Sequence, residues 1–185
     1  ILIDSTTQHD QKRFLFAEEV QVSVKNLKAR TKDSLYFLKC ASINISTKEN
    51  RITARDISVE PRYNKKVFES KLSARKYMFK LNIPKLTLSR ISWWQIMNRK
   101  SVIARKAVVE NGTCDVYLDR SLPFRRIKPN NFPHQILMRT PIPFSVAKMV
   151  IRHSKFLYTE YNPGMGQTGN IVISDVNGTA VNITN

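Results

Sequence analysis

Three histidines, two cysteines and a scatter of carboxylates are the side chains of this 185-residue chain that could do metal, nucleophilic or acid–base chemistry. His9, His134 and His153 stand far apart, and none has a second His, Cys or carboxylate at metal-ligand spacing. A zinc site is therefore not indicated. Cys40 and Cys114 lie in strand-like runs without a CxxC or Cys/His pattern. They read as buried, inert thiols, and a disulfide would require their strands to be neighbours. Asp115, Asp119 and Glu160 could be acids only if the fold fixed their separation. Asp119-Arg120 and Glu160 close their strands and read as local ion pairs. No GxSxG, phosphate-cradling glycine loop or dinucleotide fingerprint occurs. Enzyme is the weakest class, and the sequence asks for no metal and no cofactor. The N-x-S/T triplets at Asn44, Asn111, Asn177 and Asn182 would be glycan acceptors only in a eukaryotic secretory protein.

Charge is the strongest compositional feature, with 31 Lys+Arg against 14 Asp+Glu and a formal net +17. Such an excess favours acidic partners: nucleic acid, anionic headgroups or lipopolysaccharide phosphates. The bases run through the chain, from Lys12-Arg13 to Arg125-Arg126, as a solvated sheet face would place them. Tyr36, Phe37, Tyr77 and Phe79 could stack on bases. They alternate with strand periodicity, which makes them core candidates first, and no RNP, KH or zinc-finger pattern supports nucleic acid.

The elements that must position these side chains are mostly strands. In residues 14–24 the apolar Phe14, Phe16, Val20, Val22 and Val24 share one parity and so one face. Residues 40–46 repeat the alternation, the polar turn 47–50 follows, and residues 51–59 form the next strand. Pro61 ends that pairing. Further strands are expected over residues 77–83 and 86–91, interrupted at Pro84, and a closing hairpin over 169–183 that turns at Asn177-Gly178. Two short helices break the pattern. Ser92 is an N-cap candidate for a helix that spaces Trp93, Ile96 and Met97 along one face, and Pro133 opens a second over residues 133–138. Both are too short to stand alone and must pack on the sheet.

Residues 92–120 and 132–161 also resemble each other as helix-plus-long-strand units. Lys106 and Lys148 are offset by 148 − 106 = 42, and Tyr117 and Tyr158 by 158 − 117 = 41, as if one residue were inserted. The expectation is a single β-rich unit over 1–185. The first residue is Ile1, and the chain is expected to be a piece of a longer protein.

Ile91-Ser92-Trp93-Trp94, residues 116–123 and residues 137–143 occur in an order that resembles AsmA-like and TamB-like envelope proteins of Bacteroidota. The likeness continues through residues 158–161, 169–173 and 181–185, covers roughly Phe14 onward, and rests on the order of short motifs. The resemblance implies a non-catalytic stretch of a long β body in the periplasm. Its membrane anchor, in the inner membrane, would lie outside this chain. It also implies a part in outer-membrane biogenesis or phospholipid transport between membranes, with phospholipid or another envelope lipid, and possible envelope proteins, as partners.

The fold expected is therefore all-β, a mainly antiparallel, elongated or curved sheet with two short helices packed on it. Its candidate lipid-contacting or core apolar face comprises Phe14, Phe16, Val20, Val22, Val24, Ile43, Ile45, Phe79, Leu81, Trp93, Trp94, Val108, Val116 and Ile171. A sealed core would use the same residues. The rival function is a β module that binds polyanions, lipopolysaccharide or nucleic acid, and it would differ by its steep salt dependence.

Overall fold

The computed structural model describes Ala17, residues 19–124 and residues 142–185. Phe14, Phe16, His9, His134 and the helix expected over residues 133–138 lie outside the described residues. Eight strands form one sheet: β1 (Gln21–Arg30), β2 (Tyr36–Ser46), β3 (Arg51–Pro61), β4 (Met78–Ile91), β5 (Val102–Glu110), β6 (Thr113–Asp119), β7 (Phe144–Asn162) and β8 (Gln167–Thr184). Helix α1 (Lys65–Ser70) follows β3 and α2 (Trp93–Arg99) follows β4. The all-β reading with short helices is the fold observed.

β5 and β6 are one lane in two pieces. β4 pairs Leu86 with Val109 of β5 and Leu81 with Cys114 of β6. β7 continues alongside both pieces in parallel, from Val102↔Phe144 to Asp119↔Tyr161. The eight strands therefore make 8 − 1 = 7 lanes, and every other neighbouring pair is antiparallel. β7, with 19 residues, is about 60 Å long at ~3.3 Å per residue.

The sequence likeness between residues 92–120 and 132–161 becomes this parallel pairing. The offset is constant, 144 − 102 = 42 at one end and 161 − 119 = 42 at the other. No residue is inserted. Tyr117 meets Thr159 and Val116 meets Tyr158, so the two tyrosines are not equivalent and face opposite ways.

Two transverse rows of the sheet leave the extended conformation. In the first, Asn26, Asp56, Asn111, His153 and Asp175 have left-handed φ angles of 56, 50, 56, 48 and 54°. The ladders skip that rung: Lys25↔Ser42 is followed by Leu27↔Cys40, and Arg55↔Lys85 by Ile57↔Ile83. In the second row, Arg90 and Asn182 are left-handed at 55° each. Such a residue re-aims the strand, so the residues before and after it face opposite sides. Parity changes accordingly in β1, where Val22 and Val24 are followed by Leu27 and Ala29. Asn and Asp, which tolerate this conformation best after glycine, hold most of these positions.

Local expectations fail at this row. Pro84 does not interrupt a strand; β4 runs through it, because Pro84 occupies the skipped rung, where no ladder N–H is needed. Asn177-Gly178 is not a turn. The hairpin turns at residues 163–166, and β8 passes through Asn177, whose Oδ1 accepts the His153 N–H at 3.0 Å. Helix α1, which the apolar period did not announce, is capped by Asn64, whose Oδ1 accepts the Val67 N–H at 3.0 Å.

Candidate functional site

Following the register across the lanes sorts the side chains into two faces. One row reads Ala29, Leu38, Val59, Leu81, Cys114, Phe156, Ile173. Two further rows read Val24, Ile43, Ala54, Leu86, Val109, Ile151, Gly178 and Val22, Ile45, Ile52, Leu88, Ala107, Met149, Ala180. Past the second left-handed row, Ile91, Ala104, Val146 and Ile183 continue the same face. Each of these rows is uncharged from one lane to the last. The parity changes are what keep the face unbroken, since without them residues beyond each row would swap sides.

The opposite face is polar and basic. Lys25, Ser42, Arg55, Lys85, Glu110 and Arg152 form one of its rows, and Arg51, Ser89, Lys106 and Lys148 another. Glu110 ties two bases together, at 3.0 Å from Lys85 and 3.8 Å from Arg152. Lys106 stands directly opposite Lys148 without such a bridge among the described residues, an arrangement that costs stability and suits a surface facing water or an anion.

Among the described residues, helices cover the two ends of the apolar face. At one end Phe68 of α1, 1% exposed, packs with Leu35, Tyr36, Phe79 and Val116, its ring edge-on to Tyr36 at 5.6 Å. Burial pushes the Tyr36 phenol up to about 12, and its oxygen accepts the Phe79 N–H at 3.3 Å. At the other end Trp93 of α2 is buried with Ile91 and Ala104, against Ile45, Ile52, Leu88 and Ile96. Between the ends, Ile43, Ile57, Ile83, Leu86, Val109 and Ile151 belong to neither cluster and stay half-buried. Towards the edges exposure rises, to 37% at Val24 and 57% at Ile171.

Of the apolar residues singled out in the sequence, Val22, Val24, Ile43, Ile45, Phe79, Leu81, Val116 and Ile171 share this face. Val20 precedes β1 and holds Thr47, whose N–H it accepts at 3.1 Å. Trp93 caps the face from α2, whereas Trp94 turns outward under the Arg99 guanidinium, 5.4 Å from its ring centre. Val108 requires a correction: it pairs with Thr87 and Val150 and points to the basic face. Within Ala107-Val108-Val109 three apolar residues in succession carry no parity signal. Ile57, Ile83, Leu86 and Ile151 belong to the face but were missed, because the left-handed rows break the alternation that would have marked them.

The chemistry-bearing residues are dispersed. Cys40 on β2 and Cys114 on β6 are separated by β3 and β4, so they are not neighbours, and both thiols are free. Burial raises the Cys114 pKa. Glu160 pairs in register with Leu118, and Asp119 with Tyr161, which puts the two carboxylates on oppositely facing positions. Glu160 receives the Tyr158 hydroxyl, which lowers its pKa, and lies 3.0 Å from Arg120. Asp119 Oδ1 accepts the Ser121 N–H at 2.7 Å. Both do local structural work. His153 Nδ1 lies 2.8 Å from Asp175 in an exposed pair at the first left-handed row. Among the described residues no group of three His, Cys, Asp or Glu could hold a metal ion, and no helix is long and apolar enough to cross a membrane.

Compared with protein-family models, curated proteins and solved structures, the chain finds no match in any of the three.

Proposed function

We propose that this chain is a non-catalytic, lipid-contacting segment of an AsmA-like envelope protein, and that its apolar face carries acyl chains in intermembrane phospholipid transport or outer-membrane biogenesis. The observation behind this reading is the set of uncharged rows that cross all seven lanes, covered among the described residues by helices at their two ends. A sheet that needs only a core buries such a face under a second layer. Here the large side chains Ile43, Leu86, Val109 and Ile151 stay half-buried around the buried Ala54, and the opposite, basic face suits water and anionic headgroups. On this reading the working site lies in the periplasm, with the parent protein attached to the inner membrane.

Neighbouring residues on one strand make the test. Ile171 and Val172 on β8 are 57% and 54% exposed and point to opposite faces. Ile171→Asp is expected to reduce capture of a fluorescent phospholipid from vesicles of phosphatidylethanolamine and phosphatidylglycerol several-fold, and Val172→Asp to leave it near wild type. Equal effects of the two substitutions, or no capture by the wild type, would refute the reading.

A second reading, a polyanion-binding module, is favoured by one observation: the opposed Lys106 and Lys148 on a basic face. It predicts that lipopolysaccharide or nucleic acid binds with an affinity that falls steeply as salt rises, whereas acyl-chain burial barely responds. Lys148→Glu would weaken the first and spare the second.

A further inference from the structure

At the end of the sheet that α1 covers, two connections come together: the turn between β1 and β2, residues 31–35, and the stretch after α1, residues 71–76. Between them and Tyr63 lies a cleft of about 430 Å³. That is within the range of small-molecule sites, roughly 300–1,000 Å³. Its floor is apolar, with Leu35 and Ala74 each 7% exposed and Leu72 beside them. Leu35, Leu72 and Tyr63 also belong to the cluster around Phe68, so the cleft adjoins the place where α1 closes the apolar face. Its rim is charged, by Lys71, Lys76 and Asp33. We propose that this cleft seats the phosphodiester headgroup of a phospholipid. The phosphodiester is inferred from the cleft's own side chains; that it belongs to a lipid rests on the lipid-contacting reading.

The rim decides the ligand's charge. The Lys71 ammonium lies 4.6 Å from the centre of the Tyr63 ring, which Arg62 flanks at 5.3 Å. Among the described residues Lys71 meets no carboxylate, so its charge is left for an anion. The Lys76 ammonium lies 3.5 Å from Asp33 Oδ2, long for a hydrogen bond. Asp33 is itself engaged by the turn, its Oδ1 accepting the Thr31 hydroxyl at 2.6 Å and the Leu35 N–H at 3.1 Å. Two lysines against one aspartate leave one net positive charge, and lysine serves phosphate as a point charge. One positive charge matches the single negative charge of a phosphodiester, whereas a phosphate monoester carries about 1.5–2 at neutral pH. Ser34 lines the same cleft at a left-handed φ of 57°, which glycine would adopt at lower cost. Arg62 holds it there, donating from Nη1 to the Ser34 carbonyl at 3.0 Å. A serine kept in that conformation supplies what glycine lacks, a hydroxyl that can donate to a phosphate oxygen. The apolar floor then takes the carbon skeleton next to the phosphate, on the side where Phe68 meets the apolar face.

Calorimetric titration with two probes tests it: soluble glycerophosphoglycerol, and dihexanoylphosphatidylglycerol below its micelle concentration. Both carry one phosphodiester, and saturable one-to-one binding of both is expected. Tighter binding of the lipid assigns the cleft to a lipid headgroup; equal affinities assign it to a soluble phosphodiester and overturn the lipid half of the proposal. Lys71→Gln is expected to weaken both probes about tenfold, the worth of one charge-assisted hydrogen bond. Lys48→Gln, in the turn at the opposite end of the sheet, is expected to leave them unchanged. Asp33→Asn keeps the acceptor for the Leu35 N–H and adds a second net positive charge. It is expected to shift the preference several-fold from the diester towards inorganic phosphate, whereas a merely structural Asp33 would move both ligands alike. A wild type that binds neither probe saturably, equal losses from Lys71→Gln and Lys48→Gln, or an unchanged preference in Asp33→Asn would each overturn the proposal. Vesicle lipid capture without binding of glycerophosphoglycerol would leave the proposed function standing while this site fell. Binding of glycerophosphoglycerol by a chain that captures no phospholipid would do the reverse.

Discussion

Asp56 tests whether the left-handed row is a designed feature of the sheet. It sits mid-strand in β3 at φ 50°, between Arg55 on the basic face and Ile57 on the apolar face. Its side chain is exposed, so substitution reports chiefly on the backbone. A left-handed conformation costs a typical L residue about 1–2 kcal/mol, less for Asp and Asn, and glycine nothing. Glycine gives back about 0.5–1 kcal/mol through the freedom it gains when unfolded. Asp56→Gly should therefore lie within about 0.5 kcal/mol of wild type, and Asp56→Val should lose about 1–2 kcal/mol. With a urea dependence of about 2 kcal/mol per molar, that loss lowers the unfolding midpoint by about 0.5–1 M. Urea titration by tryptophan fluorescence reads it, since Trp93 is buried at the α2 end of the apolar face. β-propensity alone predicts the reverse order, with valine the better strand residue. A midpoint for Asp56→Val equal to or above that of Asp56→Gly would therefore refute the argument.

Phe68→Ala should cost about 3–5 kcal/mol, the range for a buried phenylalanine, and expose the end of the apolar face; differential scanning calorimetry and dye binding would report both. Tyr36→Phe strands the Phe79 N–H and should cost about 1–3 kcal/mol with the fold kept, measured by urea titration. Burial, with the nearby Asp119 carboxylate second, raises the Glu69 pKa above its unfolded value of 4.5. The folded state thus holds that proton more tightly, stability falls as pH rises from about 4.5 through the raised pKa, and the penalty then stays constant. Glu69→Gln is accordingly expected to raise the urea midpoint at pH 7 relative to wild type and to lose that advantage at pH 4.

How much of this was legible in the sequence depended on whether a rule needed partners from elsewhere in the chain. Alternation alone located the strands that became β2 and β3 and grouped Ile43, Ile45, Val22 and Val24, because period two is a property of one strand. Ser92 and the spacing of Trp93 and Ile96 located α2 for the same reason. Pro84 and Asn177-Gly178 misled because their usual meaning assumes an ordinary ladder. In this sheet a skipped rung removes the need for the Pro84 N–H, and His153 on the adjoining strand engages Asn177. The parallel course of β5, β6 and β7 was visible only as a forty-two-residue likeness, which no single strand explains. The extent of the apolar face could not be read at all without the register, since Ile57 and Ile83 share neither parity nor neighbourhood with Val22.

A single sheet with one mostly apolar face poses an energetic problem that helps to decide between the readings. Burying a Leu or Ile side chain is worth about 1.5–3 kcal/mol, so each half-buried residue of the central rows forgoes part of that gain. Among the described residues, helices of six and seven residues cover the two ends and not the rows through Ile43, Ile57, Ile83 and Ile151. A polyanion binder gains nothing from leaving those rows uncovered, because its ligand would meet the opposite, basic face. A protein that accepts acyl chains gains its function from the same open surface, at the cost of stability when empty. The lipid-contacting reading thus accounts for both faces, whereas the polyanion reading accounts for one. It also carries a consequence: if acyl chains are the missing layer, added phospholipid should raise the thermal midpoint of the wild type and of Val172→Asp. Ile171→Asp, with a charge set into the face itself, should gain less.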